Sequence, residues 1–376
     1  MSGKVSICHI TVGHNPLDDR IFYKELRSLS QKYSSVYLVA PDRQEVEQSD
    51  GVRFVLFREK GFLRNLISAY RKAKQIHADL YHVHEFELLP FALILRYKYR
   101  RKVIYDAHET IFYFFTEFSR RSILFAFFPA LFAQALEWLC SHFVDHIITV
   151  TPWIAQGFRP FHKKVSLVYN YPNLEFFSGV KRELAPQNKP IILYHGQIVQ
   201  ARNIDVIVES VLYVKEKFPS VKLLIVGSVV DWYYEYLQNI VKRDNLEEVV
   251  EFRDRVPFDK IPQLIAGATI GLSSMSPNES FKRSIQIKPF EFMSMGVPVL
   301  GCRVPSTEIY IEKPGAGVLV DPPTPGNLGR AIIDLLDNPE KMKTMGEKGR
   351  KAVSERYNWK RTEPTLLKVY EEVLGC

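Results

Sequence analysis

Two charged side chains one helical turn apart are the residues of this chain best suited to chemistry. Lys288 and Glu291 stand at i and i+3 in a predicted short helix, which places them on one face of it. A lysine so placed can bind a phosphate, and a carboxylate can accept two hydrogen bonds from vicinal hydroxyls such as those of a ribose ring. The alternative is an ordinary surface Lys–Glu pair, or a glutamate that contacts only water.

A loop upstream of this helix supplies a second cation. Residues 195–203 join a predicted strand to a predicted helix, and Gly196 allows a ligand to come close to the backbone. The start of the helix offers unpaired N–H groups to an anion, and Arg202 stands there, where its guanidinium can clamp a diphosphate. A solvated surface arginine is the alternative, because one glycine is neither a Walker loop nor a Rossmann fingerprint.

Histidines at predicted strand ends are the candidates in the first half of the chain. His108 follows a strand, with Asp106 and Glu109 alongside, and can hydrogen-bond a sugar or transfer a proton. A loop histidine satisfied by the backbone is the alternative. His82 and His84 share one face of their strand and could begin a metal site, but no cysteine or third ligand follows at regular spacing. We therefore expect no metal.

Alternating strands and helices must position these side chains. The strand-like runs of the first half include Val5–Val12, Val36–Ala40, Val52–Phe57 and Lys102–Tyr105, and the second half repeats the alternation from Pro190 onwards. This order predicts an α/β protein with doubly wound, largely parallel sheets, whose ligands bind at the carboxyl ends of the strands. The helix that carries Glu291 should end at Gly296.

Composition and charge limit the possible partners. A chain of 376 residues predicts two domains, and the polar stretch 179–189 suits the boundary between them. Residues 1–172 carry +7 of the net charge of +8, which favours an anionic partner such as membrane lipid or a phosphorylated substrate. Nucleic acid ranks last, since no nucleic-acid-binding signature is present. The N-terminus predicts no signal peptide, and the cysteines favour a reducing compartment: Cys8, Cys140, Cys302 and Cys376.

Residues 111–143 are aromatic and poor in charge. The run Ser122–Leu136 contains no charged residue, but its fifteen residues are too few to cross a bilayer. An in-plane helix at the lipid headgroups, flanked by Arg120 and Arg121, and a long helix packed across the first domain are both open. The basic cluster at residues 96–102, interleaved with tyrosines, adds weight to the membrane alternative.

Several of these stretches together resemble the family 4 retaining glycosyltransferases. The resemblance rests on Gly196-x5-Arg202 followed by Lys288-x2-Glu291-Phe292-Met293 and Gly296-Val297-Pro298, and it runs over nearly the whole chain. The stretches that are similar to a branch acting in bacterial polysaccharide, capsule and O-antigen (lipopolysaccharide) synthesis are Asp18–Glu25, His82–Glu85, Tyr105–Glu109 and Val168–Pro172.

This resemblance implies a GT-B fold, in which two Rossmann-like domains face each other across a cleft. The first domain, residues 1–178, would face the acceptor and the membrane, and the second, residues 179–357, would bind the nucleotide sugar. The last helix, 358–376, would cross back to the first domain, with Tyr357–Trp359 at the crossover.

The resemblance also implies roles for individual residues. Arg202 and Lys288 would hold the donor diphosphate, Glu291 the ribose and His108 the donor sugar, with no metal and no cofactor. The family's Glu-x7-Glu pair would place its first glutamate at position 283, but Arg283 stands there and becomes a candidate phosphate contact. The remaining donor-side candidates are Gly13, Gly196 and Gln197, and the family usually has an arginine in place of Gln197. The acceptor-side candidates are Asp19, Arg20, His84 and Glu109.

The resulting expectation is a cytoplasmic, hexosyltransferase-like enzyme, with peripheral attachment to the inner face of the plasma membrane as a further expectation. It would move a sugar from a UDP- or GDP-linked donor to a lipid-linked or saccharide acceptor, by front-face attack with retention. Two alternatives stay open. One is a GT-B nucleotide-sugar epimerase, and the other is a non-catalytic sugar-nucleotide-binding scaffold, which the missing first glutamate makes conceivable.

Overall fold

Two structural units divide the chain. A computed structural model describes residues 5–43, 46, 50–117, 123–182 and 188–375. One unit runs to Asn170 and resumes at Trp359, and the other comprises Tyr171–Asn358. The sequence placed the first boundary at residue 178. The structure places it at 170, because the buried ring of Tyr171 already packs 5.2 Å from that of Phe290, in the core of the second unit.

The first unit contains a seven-stranded parallel sheet in the order β3-β2-β1-β4-β5-β6-β7. The order reverses between β1 and β4, and this reversal opens a crevice at the carboxyl ends of those strands. The strands are β1 (Ser6–Ile10), β2 (Ser35–Pro41), β3 (Val52–Phe57), β4 (Leu80–Val83), β5 (Lys102–Ala107), β6 (His146–Thr149) and β7 (Val165–Leu167).

Helices cover both faces of this sheet. One face carries α2, α3, α5 and α6, and the other carries α1 and α15, the C-terminal helix. A π-helical turn, Ile21–Leu26, leads directly into α1. The helices are α1 (Arg27–Lys32), α2 (Phe62–Ile76), α3 (Leu89–Tyr99), α4 (Ile111–Glu117), α5 (Ile123–Ser141), α6 (Pro152–Phe158) and, after the second unit, α15 (Trp359–Leu374).

The second unit repeats the design with six parallel strands in the order β10-β9-β8-β11-β12-β13. Here the order reverses between β8 and β11. The strands are β8 (Ile191–His195), β9 (Lys222–Val226), β10 (Val250–Arg253), β11 (Ile270–Ser273), β12 (Val299–Cys302) and β13 (Gly317–Val320). The helices are α7 (Ile204–Lys217), α8 (Asp231–Arg243), α9 (Ile261–Ala266), α10 (Glu279–Lys282), α11 (Lys288–Ser294), α12 (Pro305–Thr307), α13 (Pro325–Leu336) and α14 (Pro339–Glu355).

The predicted α/β class and doubly wound sheets are confirmed, while several helix ends differ. The amphipathic pattern of residues 348–357 predicts a helix that starts at Lys348, but α14 begins at Pro339, where proline suits a first helical turn. The last helix, predicted over residues 358–376, is α15, which runs from Trp359 to Leu374. The short α12 and the π-helical turn that follows it, Glu308–Glu312, were not predicted.

The aromatic segment folds into α4 and α5, which pack on the first unit. Small side chains of α5 face the sheet, since Ala126, Ala130 and Ala133 are buried while Phe125 and Phe128 are exposed. The helix thus packs on the domain and also presents a large apolar side outward. Within the described ranges, no helix combines the length and apolarity needed to cross a membrane. Arg120 and Arg121 lie outside the described residues.

Candidate functional site

Four of the predicted donor-side residues lie near the strand-order reversal of the second unit: Gly196, Arg202, Lys288 and Glu291. The carboxyl end of β8 supplies His195 and Gly196, and α11 places Lys288 and Glu291 beside them. Ligands of open parallel sheets bind at such reversals. The structure therefore brings together residues that stand about ninety positions apart in the sequence.

Lys288 runs directly over Gly196. A Cβ atom built on Gly196 would lie 2.1 Å from Lys288 Cε and 2.6 Å from its Nζ, so a larger residue there would push the end of this side chain aside. The φ angle of Gly196 is +122°, which side chains also disfavour. The positive φ angle thus explains why the loop requires a glycine at this position, and the absence of a side chain leaves room for Lys288.

Arg202 is held at the other end of the same loop. Its guanidinium carbon lies 5.6 Å from the centre of the Phe281 ring, a cation–π contact. The next residue, Asn203, adopts a left-handed conformation and caps α7. Its side-chain amide donates to Ser274 Oγ at 3.3 Å and accepts from Ser276 Oγ at 2.8 Å. These bonds fix the loop to the segment that follows β11.

The electrostatics of this site favour an anionic ligand. Burial, followed by the nearby charge of Arg202, lowers the pKa of Lys288 well below its usual value, although Glu291 acts in the opposite direction. Burial and the two cations lower the pKa of His195 to about 3, so this imidazole is neutral. His195 Nε2 lies 3.4 Å from a carboxylate oxygen of Glu291. A bound diphosphate would relieve the repulsion between Lys288 and Arg202.

Glu291 is held more rigidly than the sequence indicated. The sequence left open a surface glutamate that contacts only water, but α11 is buried from Pro289 to Met293, and Glu291 itself is only 3% exposed. Phe292 fills the space beneath Gly271 of β11, where an added Cβ would lie 2.3 Å from its ring. This packing leaves the carboxylate little freedom to move.

Two further donor-side candidates of the second unit, Gln197 and Arg283, have less buried settings. The backbone carbonyl of Gln197 accepts a 2.6 Å hydrogen bond from Tyr194 Oη, while the residue itself is exposed. Arg283 forms an ion pair with Glu279 and also donates to the Glu279 carbonyl at 2.9 Å. The Glu279 carboxylate, one helical turn earlier, thus pairs with the arginine that stands in place of the family's first glutamate. The roles of Gln197 and Arg283 stay predictions.

In the first unit, His108 lies against a buried ion-pair network. His108 Nε2 is 3.0 Å from an Asp106 carboxylate oxygen, an arrangement in which the ring nitrogen donates its proton. Arg20 binds the same carboxylate through Nε and Nη2, at 3.0 and 2.8 Å, and also reaches Glu25 at 2.9 Å. Although burial raises the pKa of Asp106, the charges of Arg20 and His108 outweigh it and hold the pKa below its usual value.

Arg20 and His84, both predicted on the acceptor side, are each only 3% exposed. Arg20 is engaged by Asp106, Glu25 and the Val168 carbonyl, which makes it a structural contact here. His84 Nε2 lies 2.9 Å from His9 Nδ1. Their roles toward an acceptor stay predictions.

A hydrogen-bonded chain of side chains links three histidines to α15. Tyr370 Oη lies 2.7 Å from His9 Nε2 and 2.6 Å from His82 Nδ1. With Glu25, these histidines and His84 place one possible metal-ligand atom each within 4.8 Å of one another. Burial lowers the pKa of all three imidazoles, which keeps them neutral. The ring nitrogens are largely engaged with each other and with Tyr370, and the expectation of no metal stays a prediction.

Glu85 organises the loop that contains Gly13. It accepts hydrogen bonds from Gly13 N at 2.8 Å, from Val12 N at 3.2 Å and from the Thr11 hydroxyl. His14 lies 3.1 Å from Asp18, and this carboxylate raises its pKa to about 9 against the effect of burial.

The last two acceptor-side candidates lie in different settings. Asp19 pairs with Lys24 at 2.7 Å, and burial raises the pKa of this carboxyl group. Glu109 is exposed at the start of the segment that follows His108.

Sequence reasoning missed His9, Glu25, Glu85 and Tyr370. His9, Glu85 and Tyr370 lie far along the chain from their partners, and a single sequence carries no signal for such pairings. Glu85 alone had a local cue, because it follows His84 at the carboxyl end of β4.

Two family models match adjoining parts of the chain. The model described as glycosyltransferase family 4 matches residues 20–176, and the one described as glycosyl transferases group 1 matches residues 179–352. The chain belongs to the family 4 glycosyltransferases. This family membership agrees with the resemblance inferred from the motifs.

An uncharacterised glycosyltransferase of Methanocaldococcus jannaschii is 26% identical to this family 4 chain over 231 residues. The match covers 61% of the chain and 60% of that relative, so the chain spans about three fifths of the length of the curated relative.

Solved structures share the fold over almost the full length. Sucrose-phosphate synthase from Thermosynechococcus elongatus superposes with a TM-score of 0.77 at 16% identity, covering 99% of both chains. HepE of Anabaena, solved with UDP-glucose, gives a TM-score of 0.74 at 14% identity, covering 98% of this chain and 99% of HepE. At such identities the likeness shows the fold, which is GT-B.

Proposed function

We propose that the protein transfers a sugar, with retention of configuration, from a nucleotide-diphosphate sugar to a lipid-linked or saccharide acceptor in the synthesis of a cell-surface polysaccharide. The observation that carries this proposal is the pairing of Lys288 with Arg202 beside Glu291. Two cations that repel each other at a buried strand end suit a diphosphate, and the neighbouring carboxylate suits ribose hydroxyls.

The nucleotide sugar as donor has further support. HepE, which has the same fold, was solved with UDP-glucose. Helix α7 begins just after Arg202, and the positive end of its dipole favours an anion there. Lys288, Arg202 and this helix start together would neutralise the leaving diphosphate, so we propose a reaction that needs no metal.

The reaction we propose exchanges one bond for another on the same face of the sugar. The bond between the sugar's anomeric carbon and the diphosphate oxygen breaks, and a bond to the acceptor oxygen forms. The acceptor's hydroxyl proton passes to the departing phosphate oxygen. Lys288 and Arg202 would stabilise the negative charge that develops on the phosphate.

His108 is the residue of the first unit for which we propose a contact with the transferred sugar. Because its Nε2 donates to Asp106, its Nδ1 is left as a hydrogen-bond acceptor for a sugar hydroxyl. Arg20 holds Asp106 in turn, so the orientation of the imidazole is fixed before any ligand binds.

The polysaccharide pathway rests on the motif stretches around residues 18–25, 82–85, 105–109 and 168–172. Sucrose-phosphate synthase, which has the same fold, is named for a small soluble product, so acceptors on this fold extend beyond lipids. We propose a cytoplasmic location, where nucleotide sugars are found.

Calorimetric titration of UDP, GDP, ADP and CMP into the full chain, with EDTA present, tests the donor site. We expect one nucleoside diphosphate to bind, and Glu291→Ala to weaken it by about 1–3 kcal/mol. Glu347→Ala, an exposed position of α14, is the matched control and should leave affinity unchanged. Binding that requires added Mg²⁺ would contradict the metal-free reaction.

Incubation with the matching nucleotide sugar then separates the alternatives. Slow release of the nucleoside diphosphate together with the free sugar of unchanged configuration supports the transferase. Release of an epimerised sugar would assign the epimerase, and tight donor binding without any turnover would assign the scaffold.

A further inference from the structure

Helix α5 differs from an ordinary surface helix in that small side chains face the core and large apolar ones face outward. Its buried positions hold the small residues Ala126, Ala130 and Ala133, whereas its large apolar side chains point outward. We call the outward side the α5 outer face, and it comprises Phe125, Phe128, Leu131, Phe132, Trp138 and Leu139. The exposed fractions of Phe125, Phe128 and Phe132 reach 72, 74 and 71%.

This face is large for a protein that meets only water. Six aromatic side chains of the α4–α5 pair are between 41 and 74% exposed: Phe114, Phe125, Phe127, Phe128, Phe132 and Trp138. At about 200 Å² per aromatic side chain, these exposures amount to roughly 700 Å² of apolar surface. Patches on water-soluble monomers seldom exceed about 600 Å². The one charged residue of the described helix, Glu137, is buried against Tyr105.

The helices packed beside α5 are strongly basic. Residues 61–78 and 88–105, which contain α2 and α3, hold nine lysines and arginines and no aspartate or glutamate. Both helices pack on the same face of the sheet as α5. Arg96, near the end of α3, donates to the Phe143 carbonyl just beyond α5 at 2.6 Å, so the basic cluster adjoins the apolar face directly.

We propose that the outer surface of α2, α3 and α5 docks onto an anionic lipid bilayer. The α5 outer face would lie in the plane of the membrane, at the boundary between headgroups and acyl chains. Exposed cations of α2 and α3, among them Arg64, Arg71 and Lys98, would contact lipid phosphates. The inference is independent of the sugar transfer proposed above, because it concerns a surface and not the donor site.

Charge distinguishes a bilayer from a second copy of the chain. A symmetric dimer through this surface would bring the α2 and α3 cations of one protomer towards those of the other, and these two helices offer no acidic residue to balance them. An anionic bilayer satisfies the cations and the aromatic side chains together.

Sedimentation with vesicles of phosphatidylcholine alone, or with about 30% phosphatidylglycerol, tests the proposal on the full chain. We expect binding to the anionic vesicles that falls steeply with added salt, and little binding to the neutral ones. Equal binding to neutral and anionic vesicles would show that the cations of α2 and α3 do not contact lipid phosphates. No binding to either would overturn the proposal as a whole.

Two variant sets test the two halves of the surface. Replacing Arg64, Arg71 and Lys98 by Gln should lower the partition coefficient about a hundredfold, at about fivefold for each charge. Phe125→Ser combined with Phe128→Ser and Phe132→Ser should lower it at least about tenfold. The matched control replaces Lys341, Lys343 and Lys348, exposed cations of α14, by Gln and should bind as the parent does.

A spectroscopic measurement keeps the test independent of folding defects in the variants. Trp138, 49% exposed on the α5 outer face, should shift its emission to shorter wavelength on anionic vesicles and be quenched by brominated lipid. Subtracting the spectrum of Trp138→Phe isolates this signal from the other three tryptophans. An unshifted spectrum on bound vesicles, or a concentration-dependent dimer that the phenylalanine variants abolish, would assign the face to something other than lipid.

Discussion

The side chain of Lys288 crosses Gly196 so closely that a single added carbon on the glycine would lie 2.1 Å from Lys288 Cε. The loop and the helix are therefore in direct contact, and the backbone of the loop determines where the Lys288 side chain can lie. Gly196 and Lys288 belong to separate motifs in the sequence but are in contact in the structure.

Gly196→Ala should therefore damage both stability and donor binding. The φ angle of +122° costs about 1–3 kcal/mol for a residue with a side chain, and the added methyl must displace Lys288. We expect nucleoside diphosphate affinity to fall at least about tenfold, measured by calorimetry. Gly267→Ala is the control, since its φ is −85° and a Cβ there meets nothing within 4 Å. Full affinity in Gly196→Ala would show that the position of Lys288 over the loop is unimportant.

Lys288→Met should remove the preference for diphosphate over monophosphate. The thioether keeps the length of the side chain but not its charge, so a charge-assisted contact of about 1.5–3 kcal/mol is lost. Affinity for the nucleoside monophosphate should change little. Lys282→Met, which removes a partly exposed cation that pairs with Glu279, should leave both affinities unchanged. An equal loss for both nucleotides would place Lys288 away from the terminal phosphate.

Arg283→Ala tests the departure from the family's glutamate pair. If Arg283 contacts the donor phosphate, this change should weaken nucleoside diphosphate binding about tenfold. Glu279→Ala releases the guanidinium from its ion pair and should tighten binding or leave it unchanged. Unchanged affinity in Arg283→Ala would confine the arginine to its contact with Glu279.

Glu137→Gln should change how the stability of the first unit depends on pH. Burial raises the pKa of Glu137 to about 7 in the folded protein, against a usual value of 4.5. The folded state thus holds its proton where the unfolded state has lost it, and stability falls as pH rises from 4.5 to 7, by about 1–3 kcal/mol in total.

Glutamine cannot ionise, and it can still accept the hydrogen bond from Tyr105. In urea unfolding at pH 5 and pH 8, the free energy of unfolding of the variant relative to the parent should therefore be larger at pH 8. Glu372→Gln, at an exposed position of α15, should track the parent at both values. A difference between Glu137→Gln and the parent that is the same at both pH values would contradict the raised pKa.

The sequence predicted the fold well because strand and helix signals are local. Apolar runs separated by glycine and proline identified most strands, and the family motifs linked them into two units. The start of α14 was misplaced because the polar residues after Pro339 are a weak signal without knowledge of packing. The same limit hid α12.

The candidate site, like the fold, could be predicted only where the sequence signals are local. The spacing of Lys288 and Glu291 showed that they share a helical face, and the loop between a predicted strand and helix identified Gly196. The sequence could not show that Arg20 is buried against Asp106, because their 86-residue separation closes only when β5 is in place. Nor could it show that the aromatic face of α5 points outward, since composition does not tell which side of a helix packs.

The contact of Tyr370 with His9 and His82 has a consequence for synthesis on the ribosome. The first unit is begun by residues of β1 and completed by α15, whose Trp359 also donates to Ser28 at 2.8 Å. The second unit is one continuous stretch and can fold as soon as it emerges. The half of the protein that is translated first is therefore finished last, and its buried histidines stay uncovered until the second unit has been made.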